Sequence, residues 1–222
     1  MRTIAIRGRA AVVRAIEDCG VVAIIRMKDT ARVPAVVQAL ADGGVRAMEI
    51  TMTVPGAVEA IRSISAGLPD DILLGAGTVL DAPTAAQVID AGAQFVVAPV
   101  FDPDTIRACH ERDVPIMPGC FTPTEMLNAW QAGADIIKVF PATRLGPGFV
   151  KDVRAPLPQL KLMPTGGVTP ENAGEWIQAG AVAVAIGSAL VDPTAVAAGD
   201  YGRIAAAARL TIANVHAARS AR

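Results

Sequence analysis

The sequence predicts an α/β fold, a single (β/α)8 TIM barrel with an extra N-terminal helix. First, eight short apolar runs recur roughly 19 to 26 residues apart, which is the spacing of successive βα units. Second, each run is followed by a longer amphipathic stretch with helix start and stop signals. Third, the runs are continuously apolar rather than alternating, which is typical of parallel strands covered by helices.

The predicted elements begin with a helix over residues 8–19, ahead of the first strand. The predicted strands cover residues 21–26, 47–52, 73–79, 95–100, 114–120, 135–140, 160–165 and 182–187. Together they place the barrel at 21–190 and a C-terminal helical region at 191–222, within one domain of residues 1–222.

Three of the intervening helices have particularly clear boundaries. They begin at Asp81-Ala82-Pro83-Thr84, Thr122-Pro123-Thr124-Glu125 and Thr169-Pro170-Glu171-Asn172. Each ends at an Ala-Gly-Ala sequence that leads directly into the next strand, with glycine supplying a left-handed cap. A doubly wound open sheet is the competing fold. It is disfavoured because no glycine-rich dinucleotide motif follows the first strand, where Arg26-Met27-Lys28-Asp29 stands instead.

Composition excludes several kinds of partner. A net charge of −1, with no basic stripe, argues against nucleic acid. The most apolar segment, residues 181–190, is about half as long as a membrane-spanning helix, so we expect no membrane partner. The first residues lack the pattern of a secretory signal, which predicts a cytoplasmic protein.

Cysteine and histidine offer little chemistry. Cys19, Cys109 and Cys120 form no CxxC pair and are odd in number, so we expect reduced thiols rather than a disulfide framework or thiolate metal site. His110 and His216 both fall in polar helical stretches. A histidine-based triad or metal centre therefore has almost no residues to use.

Lys138 is a charged residue inside the apolar run 135–140. Burial of an ammonium group favours loss of its proton, and the neutral amine is a nucleophile toward carbonyl carbon. The structural alternative is a lysine at a strand end whose stem is covered and whose head reaches water. Because barrel active sites lie at the carboxyl ends of the strands, the position favours a catalytic role.

Glu49 is the matching acidic residue, inside the apolar run 47–52. An unpaired buried carboxylate is costly, so we expect Glu49 to pair with Arg26 or Lys138, or to have a raised pKa suited to a general base. A structural ion pair is the alternative. Two glycine-rich turns, Pro164-Thr165-Gly166-Gly167 and Ile186-Gly187-Ser188-Ala189, follow the last two strands and predict a phosphate site, with tight turns as the alternative.

At these residues the chain resembles the 2-keto-3-deoxy-6-phosphogluconate (KDPG) aldolases and the related 4-hydroxy-2-oxoglutarate aldolases. The resemblance covers about residues 21–190 in unbroken order. Its most distinctive blocks are Gly43-Gly44-Val45, Glu49-Ile50-Thr51, Gly75-Ala76-Gly77-Thr78-Val79, Ala91-Gly92-Ala93-Gln94-Phe95, Lys138-Val139-Phe140-Pro141 and Pro164-Thr165-Gly166-Gly167.

The resemblance implies a class I aldolase without metal or cofactor, in which Lys138 forms a Schiff base with a keto acid and Glu49 moves the C4 hydroxyl proton through water. The implied products are pyruvate with glyceraldehyde 3-phosphate, or with glyoxylate from the unphosphorylated substrate. It also implies that the protein is a homotrimer. The implied substrate-binding residues are Arg26, Thr53, Thr78, Pro99, Phe140, Thr165, Gly166, Gly167, Gly187 and Ser188.

Within that set the resemblance gives Thr78 the pyruvate carboxylate, Phe140 a place beside the lysine, and Gly166, Gly167, Gly187 and Ser188 the distal phosphate. Thr53 is a departure, because many members have arginine at that position, and it puts the choice of substrate in question. The block Pro118-Gly119-Cys120 is shared with 6-phosphogalactonate aldolases, which keeps the C4 epimer open as substrate.

Two further hypotheses about function remain open from the sequence. In a phosphate-binding barrel isomerase or epimerase, Glu49 would shuttle a proton and Lys138 would stabilise an enediolate without covalent attachment. An aldolase-like barrel used as an assembly scaffold would be non-catalytic. Phe101, Phe121 and Trp130 are candidates for an interface between subunits, although each is equally suited to the core between helices and barrel.

Overall fold

The computed structural model describes residue 6 and residues 8–221. The strands are β1 (Val21–Ile25), β2 (Ala47–Thr51), β3 (Leu73–Gly77), β4 (Val96–Val97), β5 (Ile116–Met117), β6 (Gly119–Cys120), β7 (Ile137–Val139), β8 (Leu162–Pro164) and β9 (Val184–Ile186). Each lies inside a predicted run. Residues 1–5, 7 and 222 of the predicted domain lie outside the described residues.

The helices alternate with these strands as predicted. They are α1 (Arg9–Cys19), α2 (Val33–Asp42), α3 (Ala57–Ser65), α4 (Ala82–Asp90), α5 (Pro103–His110), α6 (Pro123–Gln131), α7 (Gly146–Arg154), α8 (Ala173–Gln178), α9 (Pro193–Ala198) and α10 (Tyr201–Ser220), with 3₁₀ turns η1 (Thr30–Arg32) and η2 (Ala142–Arg144). Capping agrees with the sequence signals at two of the three predicted helix starts, whereas α8 begins only at Ala173, after the predicted start at Thr169. Asp81 accepts a hydrogen bond from the Thr84 amide, and Thr122 forms a capping box with Glu125.

All strand pairs are parallel. Six strands pair in the order β5-β4-β3-β2-β1-β9, and β6, β7 and β8 form a second sheet. A bridge between Thr165 and Ala185 joins the β8 and β9 sides. The fifth predicted run, residues 114–120, corrects one expectation, because it forms two short strands rather than one. Pro118 separates them, since it has no N–H to donate to a ladder, although its carbonyl still accepts from Lys138 N at 3.0 Å.

Two apolar layers stabilise the barrel. The outer layer lies between strands and helices, and the inner layer fills the barrel with side chains such as Phe95, Met117 and Met163. Helix α1 contributes Val12, Val13 and Ile16 to the inner layer, where they meet residues from the beginnings of the strands. The extra helix therefore closes the N-terminal end of the barrel and leaves the carboxyl end as its mouth.

None of the helices within residues 8–221 combines the length and the apolar character needed to cross a bilayer.

Candidate active site

The direction of each strand side chain follows from the inner layer. Ala47 of β2 and Ile136, just before β7, both point into the barrel. Because strand side chains alternate with a period of two, Glu49 and Lys138 point the same way one step nearer the mouth. Glu49 is 1% exposed and Lys138 is 5% exposed. The two predicted catalytic residues are therefore brought into one buried site.

Lys138 lies in an environment that disfavours its charged form. Burial lowers the pKa of its ammonium group, the nearby carboxylate of Glu49 acts in the opposite direction, and the charge of Arg26 lowers the pKa further. Its Nζ lies 4.7 Å from the centre of the Phe140 ring, which places Phe140 beside the lysine. The amine is thus covered by protein and shifted toward the neutral, nucleophilic form.

Glu49 has the complementary property. Burial raises the pKa of its carboxyl group, and the charges of Lys138 and Arg26 partly offset that effect. Its Oε2 atom is buried without a hydrogen-bond partner among the described residues. No N–O distance of 4.0 Å or less joins its carboxylate to Lys138 Nζ within the described chain. The two groups influence each other through space rather than as a closed ion pair, which leaves a carboxyl group able to take or give a proton.

Arg26 and Thr53 lie together at the edge of this site. Arg26 follows Ile24, which points into the barrel, and both Arg26 and Thr53 line a cleft of about 670 Å³. The hydroxyl of Thr53 is 2.8 Å from that of Thr51, a fully buried residue that also donates to the Ile25 carbonyl at 3.4 Å. An arginine at position 53 would bring a charge to this edge of the site. Thr53 instead has a short, uncharged side chain that is hydrogen-bonded to Thr51 of strand β2.

Thr78 has an unusual backbone conformation. Its φ is 61°, in the left-handed region that a β-branched residue rarely adopts. Such strain tends to occur at functional sites, where the surrounding structure holds it in place. Thr78 directly follows Gly77, the residue on which the Glu49 carboxyl group packs. The unusual conformation therefore occurs at the residue that directly follows the glycine on which Glu49 packs.

Pro99 borders the mouth from strand β4. It follows Val97, which points into the barrel, and the carbonyl of Pro99 packs against the α-carbon of Gly119. A side chain at Gly119 would collide with that carbonyl. Gly119 in turn pairs in register with Lys138. Close packing thus connects Pro99 to Gly119 of β6, the strand that pairs with the one carrying the lysine.

The two glycine-rich turns lie where the sequence predicts. Gly166 and Gly167 adopt φ values of 94° and 75°, and Thr143 of η2 packs against both, so a side chain at either would be strained. Thr165 lies beneath them with a buried Oγ1 that has no hydrogen-bond partner among the described residues. On the neighbouring strand, the Gly187 carbonyl accepts from Leu190 and Val191 at 2.9 and 2.8 Å, and Ser188 is exposed.

Sequence reasoning gave no role to three further residues of the inner face, two of which are glycines that make room. Thr51, Gly75 and Gly77 all line the inner face near the pair, and the Phe95 ring packs on Gly75 as the Glu49 carboxyl group packs on Gly77. A signal was present, because glycine inside a strand marks close approach of another group. The sequence does not say which group approaches, since that depends on register between strands.

The remaining reactive side chains play other parts. Burial raises the pKa of the Cys109 and Cys120 thiols to about 12, which makes them poor nucleophiles. His110 Nε2 lies 3.1 Å from Asp135, which also accepts from the Ile116 amide at 3.0 Å and pairs with Arg9 at 3.1 Å. These contacts hold α1 and α5 against the closed end of the barrel, away from Lys138.

Comparison with protein families matches residues 12–207 to "KDPG and KHG aldolase". Among curated proteins, the KHG/KDPG aldolase of Escherichia coli (strain K12) is 38% identical over 85% of this chain and 89% of its own length. The 2-dehydro-3-deoxy-6-phosphogalactonate aldolase of the same organism is 37% identical over 69% of this chain and 76% of its own length.

Among solved structures, KDPG aldolase from Legionella pneumophila superimposes with a TM-score of 0.83 and 26% identity, over 90% of this chain and 97% of that chain. In that structure pyruvate is captured at low pH as a covalent carbinolamine intermediate. The similarity confirms the predicted (β/α)8 barrel.

Proposed function

Because the chain belongs to the KDPG and KHG aldolase family, we propose that it cleaves KDPG to pyruvate and glyceraldehyde 3-phosphate through a Schiff base on Lys138. Its relatives are named as aldolases, which are carbon–carbon lyases. The observation that carries the proposal is the burial of Lys138 and Glu49 in one barrel mouth. The same site would also accept 4-hydroxy-2-oxoglutarate, whose cleavage gives pyruvate and glyoxylate.

Covalent chemistry begins at the Lys138 amine. Its nitrogen attacks the keto carbon, and loss of water gives the iminium. The lowered pKa favours this step because only the neutral amine has a free electron pair. The iminium then accepts the electrons of the breaking C3–C4 bond, and a second water later hydrolyses the adduct to release pyruvate and restore the amine.

Proton transfer falls to Glu49. Bond cleavage leaves the C4 oxygen as an aldehyde, so the C4 hydroxyl must lose its proton, and the pyruvate-derived carbon must later gain one. A buried carboxyl group with a raised pKa and an unpaired Oε2 is suited to both transfers. We place a water between Glu49 and the hydroxyl, as the resemblance implies.

The rest of the substrate is assigned to the surrounding groups. Thr78 contacts the carboxylate, Phe140 packs beside the iminium, and Arg26, Thr53 and Pro99 complete the pocket. The distal phosphate lies at Gly166, Gly167, Gly187 and Ser188. Thr165 Oγ1 is a buried donor without a partner among residues 8–221, and a substrate oxygen would satisfy it.

The test is cleavage measured by pyruvate release, with the native protein beside a Lys138→Ala variant. We expect the native protein to release pyruvate from KDPG and the variant to release none. Equal turnover in the variant would contradict the Schiff base and favour a non-covalent isomerase-like use of the site.

A second substrate is favoured by one comparison, the match to a 6-phosphogalactonate aldolase at 37% identity. This substrate is the C4 epimer, so its hydroxyl points differently toward Glu49. Measuring kcat/KM for KDPG, its galactonate epimer and 4-hydroxy-2-oxoglutarate in one assay distinguishes the three. If kcat/KM is ten-fold or more higher for the epimer than for KDPG, the epimer becomes the proposed substrate.

We also propose that the protein is a homotrimer. Leu80, Val100 and Phe121 are exposed large apolar side chains after β3, β4 and β6, on adjacent parts of the barrel. Phe101 and Trp130, also considered as interface residues, are partly buried against the core. Light scattering after gel filtration should give a trimer, and Phe121→Asp should dissociate it. Leu210→Asp, at another exposed apolar position on α10, is the matched control, and a monomeric native protein would contradict the proposal.

A further inference from the structure

A cleft of about 670 Å³ lies beside the barrel mouth, between the loop from β1 to η1 and helix α9. Arg26 and Thr53 line its inner side, Lys28 lines the loop side, and Pro193 and Ala197 line the helix side. Pockets for small molecules commonly measure about 300–1,000 Å³. The three-carbon aldehyde half of KDPG would fill only a small part of this volume, so the cleft has room for a larger group.

The cleft is connected to the catalytic pair through the residues of its inner side. Arg26 follows the inward-pointing Ile24, and its charge acts on both Glu49 and Lys138. Thr53 is hydrogen-bonded to Thr51, two residues after Glu49 on the same strand. The inner side of the cleft is therefore formed by residues that act on, or are bonded close to, the catalytic pair.

The two sides of the cleft differ in chemistry. Arg26 and Lys28 carry positive charges with no ion-pair partner among residues 8–221, whereas the carboxylate of Asp29 is taken by Arg32 at 2.9 Å. The opposite side is apolar, formed by Val191, Pro193, Val196 and Ala197. This combination complements a molecule that has both an apolar body and an anionic end.

Arg32 holds the two sides together. Besides Asp29, it donates to the carbonyls of Val196 and Ala197, at 2.7 and 3.4 Å, near the end of α9. These bonds join the loop after the first strand to a helix more than 160 residues later in the chain. The cleft is thus built by long-range contacts on both sides, and its shape is preorganised for a ligand.

We propose that this cleft is a subsite for aldehyde halves larger than glyceraldehyde 3-phosphate, with an apolar body that ends in a carboxylate. The proposal rests on the aldolase activity proposed above. The body packs against Pro193 and Ala197, and the carboxylate faces Lys28. Thr53, being short, leaves this path open where an arginine would obstruct it.

In the synthetic direction the same groups join pyruvate to an aldehyde. Pyruvate and Lys138 lose water to form the Schiff base, and loss of a methyl proton gives the enamine. The enamine carbon bonds to the aldehyde carbon, whose oxygen gains a proton to become the new hydroxyl. Water then hydrolyses the Schiff base, which releases a 4-hydroxy-2-keto acid and regenerates the amine.

The test uses pyruvate with 4-carboxybenzaldehyde as probe and glyceraldehyde 3-phosphate as reference. The native protein should condense both aldehydes. Ala197→Phe fills the cleft from an exposed position and should lower the ratio of the probe rate to the reference rate by about ten-fold or more. Ala198→Phe, exposed on the same helix but outside the cleft lining, should leave that ratio within about two-fold.

A second pair of variants tests the anionic end. Lys28→Gln should lower the rate with 4-carboxybenzaldehyde relative to uncharged benzaldehyde, whereas Lys151→Gln on α7 should not. An unchanged ratio in both Ala197→Phe and Lys28→Gln overturns the subsite, as does a native protein that condenses the reference but not the probe. A protein that condenses neither aldehyde overturns the aldolase proposal, and this one with it.

Discussion

The carboxyl group of Glu49 packs directly on the α-carbon of Gly77. Gly77 lies on the neighbouring strand β3, two positions beyond the residue that pairs in register with Glu49. A β-carbon at Gly77 would lie 2.7 Å from Glu49 Cδ and would collide with Oε1. Glu49 itself pairs in register with Gly75. The glycines of β3 therefore provide the space in which a buried carboxyl group is positioned across from Lys138.

Gly77→Ala tests this packing. The backbone at Gly77 is not in the left-handed region, so alanine adds only the steric conflict with Glu49. We expect a loss of about 1–3 kcal/mol in the free energy of unfolding and a lower kcat. Urea unfolding and steady-state kinetics measure the two effects.

Gly148→Ala is the matched control. Gly148 lies within helix α7 with open space around its α-carbon, so alanine should stabilise the protein by about 0.5–1 kcal/mol and leave kcat unchanged. If both variants have the same stability, the packing of Glu49 on Gly77 is not what requires glycine there.

Glu49→Gln tests proton transfer separately from adduct formation. Glutamine keeps the size of the side chain but has no carboxylate, so we expect kcat to fall about 10²–10⁴-fold. Lys138 should still form an adduct with pyruvate that borohydride traps. A variant that traps pyruvate and also turns over KDPG at the native rate would remove Glu49 from the mechanism.

The pH dependence of adduct formation follows from the lowered pKa of Lys138. Since the amine must be neutral, the rate should rise with pH and level off at a lower pH than the ordinary lysine pKa of 10.5 would give. The Glu49 carboxylate raises the pKa of Lys138, so Glu49→Gln should move the midpoint to lower pH. Stopped-flow measurement of pyruvate binding across pH gives both midpoints, and a shift to higher pH is the contrary result.

Thr78→Gly separates stability from function. Glycine removes the strain of a positive φ, worth roughly 1–3 kcal/mol, and adds some unfolded-state entropy. We expect a net gain of about 1 kcal/mol in stability together with a raised KM for KDPG, because the proposed carboxylate contact is lost. Asp113 is an exposed residue with a φ of 56°, so Asp113→Gly is the control and should leave KM unchanged. An unaltered KM in Thr78→Gly would contradict the assignment.

The sequence was sufficient to predict the order of helices and strands. It was also sufficient to predict that Lys138 and Glu49 are buried inside strands. A lysine and a glutamate inside apolar runs are visible without a structure, because their burial conflicts with their charge. Strand lengths were overestimated: Pro118 divides the fifth run, and β4 has only 2 residues where six were predicted. Sheet ends are set by hydrogen-bond partners on neighbouring strands, which local composition does not specify.

The cleft and the packing around Glu49 could not be predicted in the same way. The cleft depends on Arg32 meeting the end of α9, a contact between distant parts of the chain. The need for Gly77 depends on the register of β2 against β3. Both are relations between elements, so they appear only when the elements are assembled.

The most direct test of the account is borohydride reduction of the protein in the presence of pyruvate, followed by peptide mass spectrometry. We predict that the peptide containing Lys138 gains the mass of a reduced pyruvate adduct, and that Lys138→Met forms no adduct and loses activity while remaining folded. Peptides with Lys28, Lys151 or Lys161 should stay unmodified. An active protein whose Lys138 peptide carries no adduct would contradict the Schiff-base mechanism.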